Sequence, residues 1–114
     1  MEPISGDALR GHLETMILAA LETEAAHGFE ILRRLTEAGS GALRLREGSL
    51  YPALYRMEGA GLIASDWEDE SAPRRGPRRR VYRLTRKGVG RLAAGRAEWR
   101  QFVHVIGTIL GAPA

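Results

Sequence analysis

The sequence contains no cysteine. That excludes disulfides, thiolate catalysis and cysteine metal sites, and it fits a reducing compartment such as the cytoplasm. No run approaches the roughly 18 consecutive apolar residues of a membrane span. The N-terminus has no basic segment followed by an apolar one, so no signal peptide is expected. His12, His27 and His104 offer no i, i+3 or i, i+4 pair and no carboxylate cluster joins them, so no metal site is expected. No Ser-His-Asp set is visible, and GAGL at 59–62 is too short for a phosphate loop and lacks a lysine. Catalysis and a cofactor are therefore not expected.

What is present is a chain of 114 residues, 44% apolar and 27% charged, enough for one domain with a core. Its charge is segregated. Residues 1–72 hold six bases and thirteen acids, a net of −7, whereas residues 73–114 hold eleven bases and one acid, a net of +10. The segment RRGPRRRVYRLTRK, residues 74–87, carries eight bases and no acid, and follows the acidic surroundings of Trp67 at Asp66, Glu68, Asp69 and Glu70. A compact positive field of this kind suits a polyanion, through counterion release from phosphates. A solvated basic loop is the plainer reading of such a run taken alone.

The pattern along the chain predicts helices separated by a hairpin. Leu9, Leu13, Met16, Ile17, Ala20 and Leu21 form a helical stripe from Ala8 to about Glu24. His27-Gly28 breaks it, and a second helix over Phe29, Ile31, Leu32 and Leu35 stops at Gly39-Ser40-Gly41. Leu43 and Leu45 alternate with Arg44 and Arg46 as in a very short strand. Leu50, Ala53, Leu54 and Met57 share one face of a third helix. With Ser49 as N-cap, Pro52 falls in the first turn, where no intrahelical bond is lost, so the helix is expected to begin at Ser49 or one residue earlier. Residues 62–67 and 79–84 read as the two strands of a hairpin. Thr85 caps a last helix that reaches about Leu110. Its apolar columns, Leu92-Trp99-Ile106 and Val89-Arg96-Val103-Leu110 with Phe102 and Ile109 beside them, make a face wide enough to need a second helix. The expected fold is mostly α with a two-stranded β wing. It comprises a winged helix-turn-helix over 1–84 and a dimerisation helix over 85–114, together one compact domain.

The residues HGFEILRRL at 27–35, GSLYPALYRME at 48–58, GLI at 61–63 with Trp67, and VYRLTRKG at 81–88 resemble the PadR-type transcriptional regulators. The resemblance covers about residues 8–100, and the short C-terminal helix is similar to the small subgroup of that family. His27-Gly28-Phe29 stands where a Tyr-Gly-Tyr-like sequence is usual, and Arg46 where a small polar residue is usual. The resemblance implies a cytoplasmic homodimer that represses transcription from an inverted-repeat operator. It also implies a pocket for a planar aromatic effector at the dimer centre, lined here by Leu13, Met16, Trp99 and Val103.

The third helix would present Ser49, Tyr51, Pro52, Tyr55 and Arg56 to a major groove, its open N-terminus favouring a phosphate. Arg74, Arg75, Arg78, Arg79 and Arg80 at the wing tip suit the negative potential of a minor groove, and Arg83 and Lys87 could hold flanking phosphates. Plainer readings stand beside these: Tyr51 packing on the wing, Arg56 paired with an acid, Trp99 as a dimer-core residue. A winged helix whose basic wing meets an acidic protein is the alternative function.

Overall fold

The computed structural model describes residues 9, 11–69 and 76–111. Within them the order is α1 (Leu13–Ala20), β1 (Ala26–His27), α2 (Gly28–Ala38), α3 (Glu47–Gly59), β2 (Ile63–Trp67), β3 (Arg80–Leu84) and α4 (Arg86–Leu110). The core is made where three helical stripes meet. Ile17 and Leu18 of α1, Ile31 and Leu35 of α2, and Leu50, Ala53, Leu54 and Met57 of α3 are buried together with Ile63, Tyr82 and Leu92. Burying a side chain of this size contributes roughly 1.5–3 kcal/mol. Because one side of α3 is consumed this way, its opposite side faces outward. Phe29, expected on the apolar stripe of α2, is instead 62% exposed. The buried line of α2 runs through Gly28, Ile31 and Leu35.

The three strands form one antiparallel sheet in the order β1-β3-β2, a winged helix with a short extra strand on the hairpin. Ala26 and His27 pair with Tyr82 and Val81, so His27, expected only to break a helix with Gly28, also makes a sheet edge. The expected hairpin is present, with Trp67 opposite Arg80 and Ile63 opposite Leu84. The expected strand over Leu43 and Leu45 reduces to a single bridge at Leu43.

Two helix boundaries differ from expectation. Gly11 adopts φ 91°, a left-handed conformation that interrupts the first stripe, so α1 begins only at Leu13 and ends at Ala20 rather than near Glu24. Arg34 holds that end. Its guanidinium donates to the carbonyls of Ala20 at 2.8 Å and Glu24 at 3.0 Å, supplying the cation that the last turn of α1 lacks. The second difference is at α3, which begins at Glu47 with Arg46, not Ser49, as the capping residue. The amides of Ser49 and Leu50 both donate to the Arg46 carbonyl at 3.0 Å, which draws the helix start back. Pro52 is therefore inside the helix. It leaves the carbonyl of Gly48 without its usual amide, at a residue that is exposed.

The last helix starts as expected. The Thr85 hydroxyl accepts from the Gly88 amide at 3.0 Å and donates to the carbonyl of Gly61 at 2.6 Å. At this crossing Gly88 lies directly on the Leu62 carbonyl, and a methyl group there would overlap it. Gly90, on the same helix, has nothing within 4 Å of its Cβ position. Beyond Gly95 no described residue of α4 is buried. Trp99, Phe102, Val105, Ile106, Ile109 and Leu110 are 38–74% exposed, an apolar face that the rest of the described chain does not cover. Among the described residues no helix is long and apolar enough to cross a membrane.

The two glycines make a matched test. Gly88→Ala should destabilise by roughly 2–4 kcal/mol, because the obstacle is backbone and cannot rotate away. Gly90→Ala should stabilise by about 0.5–1 kcal/mol, because alanine restricts the unfolded chain and meets nothing in the folded one. Urea unfolding at one protein concentration reads both. Equal effects would refute the close approach at Leu62.

Candidate nucleic-acid interface

Helical spacing puts Ser49, Tyr51, Pro52, Tyr55 and Arg56 opposite the buried stripe of α3, and all five are exposed. They differ in freedom. Tyr55 is 82% exposed. Tyr51 is 43% exposed, and its ring lies on the backbone of Gly28 so closely that a Cβ there would sit 2.7 Å from the phenol oxygen. Tyr51 thus joins the start of α3 to the start of α2. It does not hang free in front of the helix.

The wing arginines also divide. Arg74 and Arg75 lie outside the described residues. Arg78 and Arg80 both hold their guanidinium groups over the indole of Trp67, at 5.5 and 5.2 Å from the ring centroid. Arg80 also donates to the Ser65 hydroxyl at 2.6 Å and lies 3.5 Å from the Glu58 carboxylate. Glu58 additionally accepts from Ser65 at 2.6 Å. Its negative charge adds to burial in raising the phenol pKa of Tyr82 on the same sheet. Arg79 closes the hairpin: its carbonyl accepts from Glu68 at 2.8 Å and its amide donates to the Glu68 carboxylate at 3.1 Å.

Two bases expected near flanking phosphates have partners inside the chain. Arg83 pairs with Asp66 across the hairpin at 2.8 Å. Lys87 donates to the Ala60 carbonyl at 2.7 Å, capping the end of α3. Both side chains remain exposed, so these pairs are weak and exchangeable in water.

The start of α2, the start of α3 and the wing meet in a cleft of about 310 Å³ lined by His27, Gly28, Phe29, Tyr51, Tyr82 and residues 77–80. His27 has two roles here. Its Nδ1 accepts from the Glu30 amide at 3.2 Å as the cap of α2, and its Nε2 lies 2.7 Å from Arg79. A neutral imidazole has one acceptor nitrogen, so the cap and the arginine compete for it. Farther along α2, Glu30 is held to a pKa of about 2 by hydrogen bonds from Arg33, with Arg34 adding to the effect. The acids of this helix are therefore already neutralised by its own arginines.

A second hollow, of about 700 Å³, runs between α1 and α4. Met16 and Trp99 line it, together with Leu9, His12 and Phe102. Trp99 and Phe102 stack at 5.8 Å and 15°, and His12 meets Trp99 edge-on at 5.4 Å. Leu13 and Val103 are not on its wall. Leu13 packs against the core, and Val103 is half-buried on α4. Arg96 lines the hollow but is bound by Glu22 through two 2.8 Å hydrogen bonds, which lower the Glu22 pKa.

Nothing in the sequence assigns Glu58 or Ser65 to this surface; His27 and Phe29 enter only as a helix break and as departures from the family's usual helix start, and Trp67 only as a strand residue among acids and as part of the resemblance. His27 and Phe29 stand beside the glycine that signals a helix break, and a histidine before a helix is a weak capping signal. Trp67 opposite a run of arginines in a hairpin was a usable signal. Glu58 and Ser65 carried none, because their meeting depends on how α3 lies on the sheet. Among the described residues no group of three or more His, Asp or Glu could hold a metal ion.

Comparison with known proteins gives the same fold. A transcriptional regulator from Clostridium thermocellum superposes with a TM-score of 0.81 at 30% identity, covering 92% of this chain and 96% of its own. A PadR family transcription regulator from Clostridium difficile superposes with a TM-score of 0.77 at 34% identity, covering 88% and 99%. An uncharacterized protein of Lysinibacillus sphaericus is 27% identical over 103 residues, 90% of this chain and 92% of that one. The family model described as the transcriptional regulator PadR-like family matches residues 17–94, from α1 through the wing into α4. The fold, the match across most of the chain and the outward faces of α3 and the hairpin agree, and the chain belongs to the PadR-like family of transcriptional regulators.

Proposed function

We propose that this protein is a cytoplasmic homodimeric repressor that works by binding duplex DNA at an inverted repeat and catalyses no reaction. The observation that carries this reading is one surface on which the exposed side of α3 stands beside a hairpin rich in arginine. Tyr55, Arg56 and Ser49 would meet base edges and phosphates in a major groove. Arg78 and Arg79, with Arg74 and Arg75 beyond them, would follow the adjacent minor groove. Pro52 shapes the helix between them. Arg83 and Lys87 would exchange their internal partners for phosphates at the rim. The uncovered face of α4 supports a second copy as its cover, since seven apolar side chains, Val89 included, stand exposed along it. A planar aromatic effector would stack on Trp99 at the dimer centre and act by favouring one arrangement of the two copies.

Selection of bound sequences from a random duplex pool tests the central claim. Two-fold symmetry requires half-sites about 10 base pairs apart or a multiple of that spacing. Sedimentation tests the dimer: Trp99→Asp should give monomers, because it would bury an unpaired charge. Binding of an acidic protein with no preference for any duplex would favour the alternative reading of the wing.

The tyrosines of α3 should separate. Tyr55→Ala should leave stability within about 0.5 kcal/mol and cut the preference for the selected duplex over random DNA. Tyr51→Ala should cost about 1–2 kcal/mol of stability, because it removes the packing on Gly28. Arg79→Ala should weaken selected and random duplex alike and reduce the slope of log affinity against log salt by up to about 0.9. A salt slope unchanged by Arg79→Ala, with lost preference instead, would reverse the roles given to wing and helix.

A further inference from the structure

Glu58 is an acid in the last turn of α3, where the helix dipole disfavours it. On the DNA-binding reading above, on which this inference rests, phosphates nearby disfavour it again. Its carboxylate nevertheless sits in a closed set of contacts. Ser65 of β2 donates to Glu58 at 2.6 Å and accepts from Arg80 Nε at 2.6 Å, while the Arg80 guanidinium lies 3.5 Å from Glu58. Arg80 stands opposite Trp67 in the hairpin register, and both Arg80 and Arg78 lie over its indole. Two like charges over one ring repel each other. The Glu58 carboxylate offsets that repulsion and, through Ser65, fixes the plane of Arg80.

We propose that Glu58 is a positioning residue that sets the wing against the reading helix, acting through Ser65 and Arg80 to keep Trp67 as a platform for Arg78. Arg80 is then an organising cation and not a phosphate ligand, and of the two arginines over Trp67 the one presented to DNA is Arg78. The contacts run without a gap from the end of α3 to both strands of the hairpin, so the angle of the wing follows the angle of the helix. An acid in this place lowers the local positive potential, and its gain is geometric.

The sign of one substitution separates this from plain electrostatics. If Glu58 were only a negative charge beside DNA, Glu58→Gln would raise affinity. If it positions the wing, Glu58→Gln and Glu58→Ala lower affinity for a duplex selected by the wild-type protein, by about five-fold. In an Arg80→Gln background the pathway is already broken, so Glu58→Gln should raise affinity there, a reversal that a double-mutant cycle reads directly. Isotope-labelled protein without DNA supplies the independent readout. The indole ring current should shift the Nε–H signals of Arg78 and Arg80 in the wild type, and both shifts should collapse in Glu58→Ala while the core signals stay. Unchanged shifts in Glu58→Ala overturn the proposal. So does a Glu58→Gln effect of the same sign in both backgrounds. A wild-type protein that selects a duplex, with both Glu58 variants binding it as tightly or more tightly, overturns this proposal alone. A wild-type protein that selects no duplex overturns the DNA-binding reading and this proposal with it.

Discussion

The close approach of Gly88 to the Leu62 carbonyl is the constraint on which the rest of the molecule is arranged. Three elements end or begin within a few residues of that point. The third helix, α3, finishes at Gly59, the hairpin opens at Ile63 and closes at Leu84, and the long helix starts at Arg86. The Leu62 carbonyl accepts from the Thr85 amide at 3.2 Å, Thr85 caps α4, and Lys87 reaches back to the end of α3. A side chain at position 88 would push the long helix off the hairpin and disturb all of these at once. The angle between wing, α3 and α4 is therefore fixed by backbone contact, which is stiffer than any arrangement of surface charges.

Charge is distributed over this frame in a way that the count of arginines does not convey. Arg33 and Arg34 serve α2 and the end of α1, Arg96 binds Glu22, and Arg83 binds Asp66. Arg80 is tied to Glu58 and Ser65. Of the eleven bases in residues 73–114, Arg80, Arg83 and Arg96 are thus held by acids of the same chain, in exposed pairs that contribute little stability each. What those pairs supply is direction: they hold long, flexible side chains in one geometry, so less conformational entropy remains to be lost on binding a polyanion. Arginines tied to acids and arginines lying over the indole therefore do different jobs on one hairpin.

Much of this was legible in the residues. Thr85 as a cap, the stripe Leu50-Ala53-Leu54-Met57, the hairpin and the length of the last helix all rest on local rules: periodicity, turn residues and capping chemistry. The outward face of α3 followed from the same stripe, so all five of its expected contact residues are exposed. The failures have physical causes too. The edge strand at Ala26–His27 is two residues long and its partner lies more than fifty residues away, so no local pattern marks it. The start of α3 lies earlier than Pro52 suggests, because Gly48 is exposed and its carbonyl tolerates the missing bond. Gly11 delays the start of α1 to Leu13 through a φ of 91° that helical spacing alone does not reveal. Which arginine meets which acid depends on side chains brought together by the fold, and the Glu58-Ser65-Arg80 set is of that kind.

The two surfaces of the molecule share one rigid link. From Gly88, packed under the hairpin, α4 runs without a break to Trp99 in the hollow, roughly 16 Å along the axis. Between them Gly95 lies against Thr15 so closely that a Cβ would sit 2.6 Å from its hydroxyl, which presses α1 onto α4 midway. A change in how α4 lies against a neighbour at Trp99 therefore has no soft element in which to dissipate before it reaches Leu62 and the end of α3. In the proposed dimer it would turn the winged-helix body as a unit. Under the proposed dimer, that rotation changes the spacing between two reading helices while leaving each reading face intact. Coupling of this sort needs only a ligand that prefers one arrangement of the two long helices, and its strength is bounded by that preference. The structural reason is that the same glycines that let the helices approach also deny them room to bend independently.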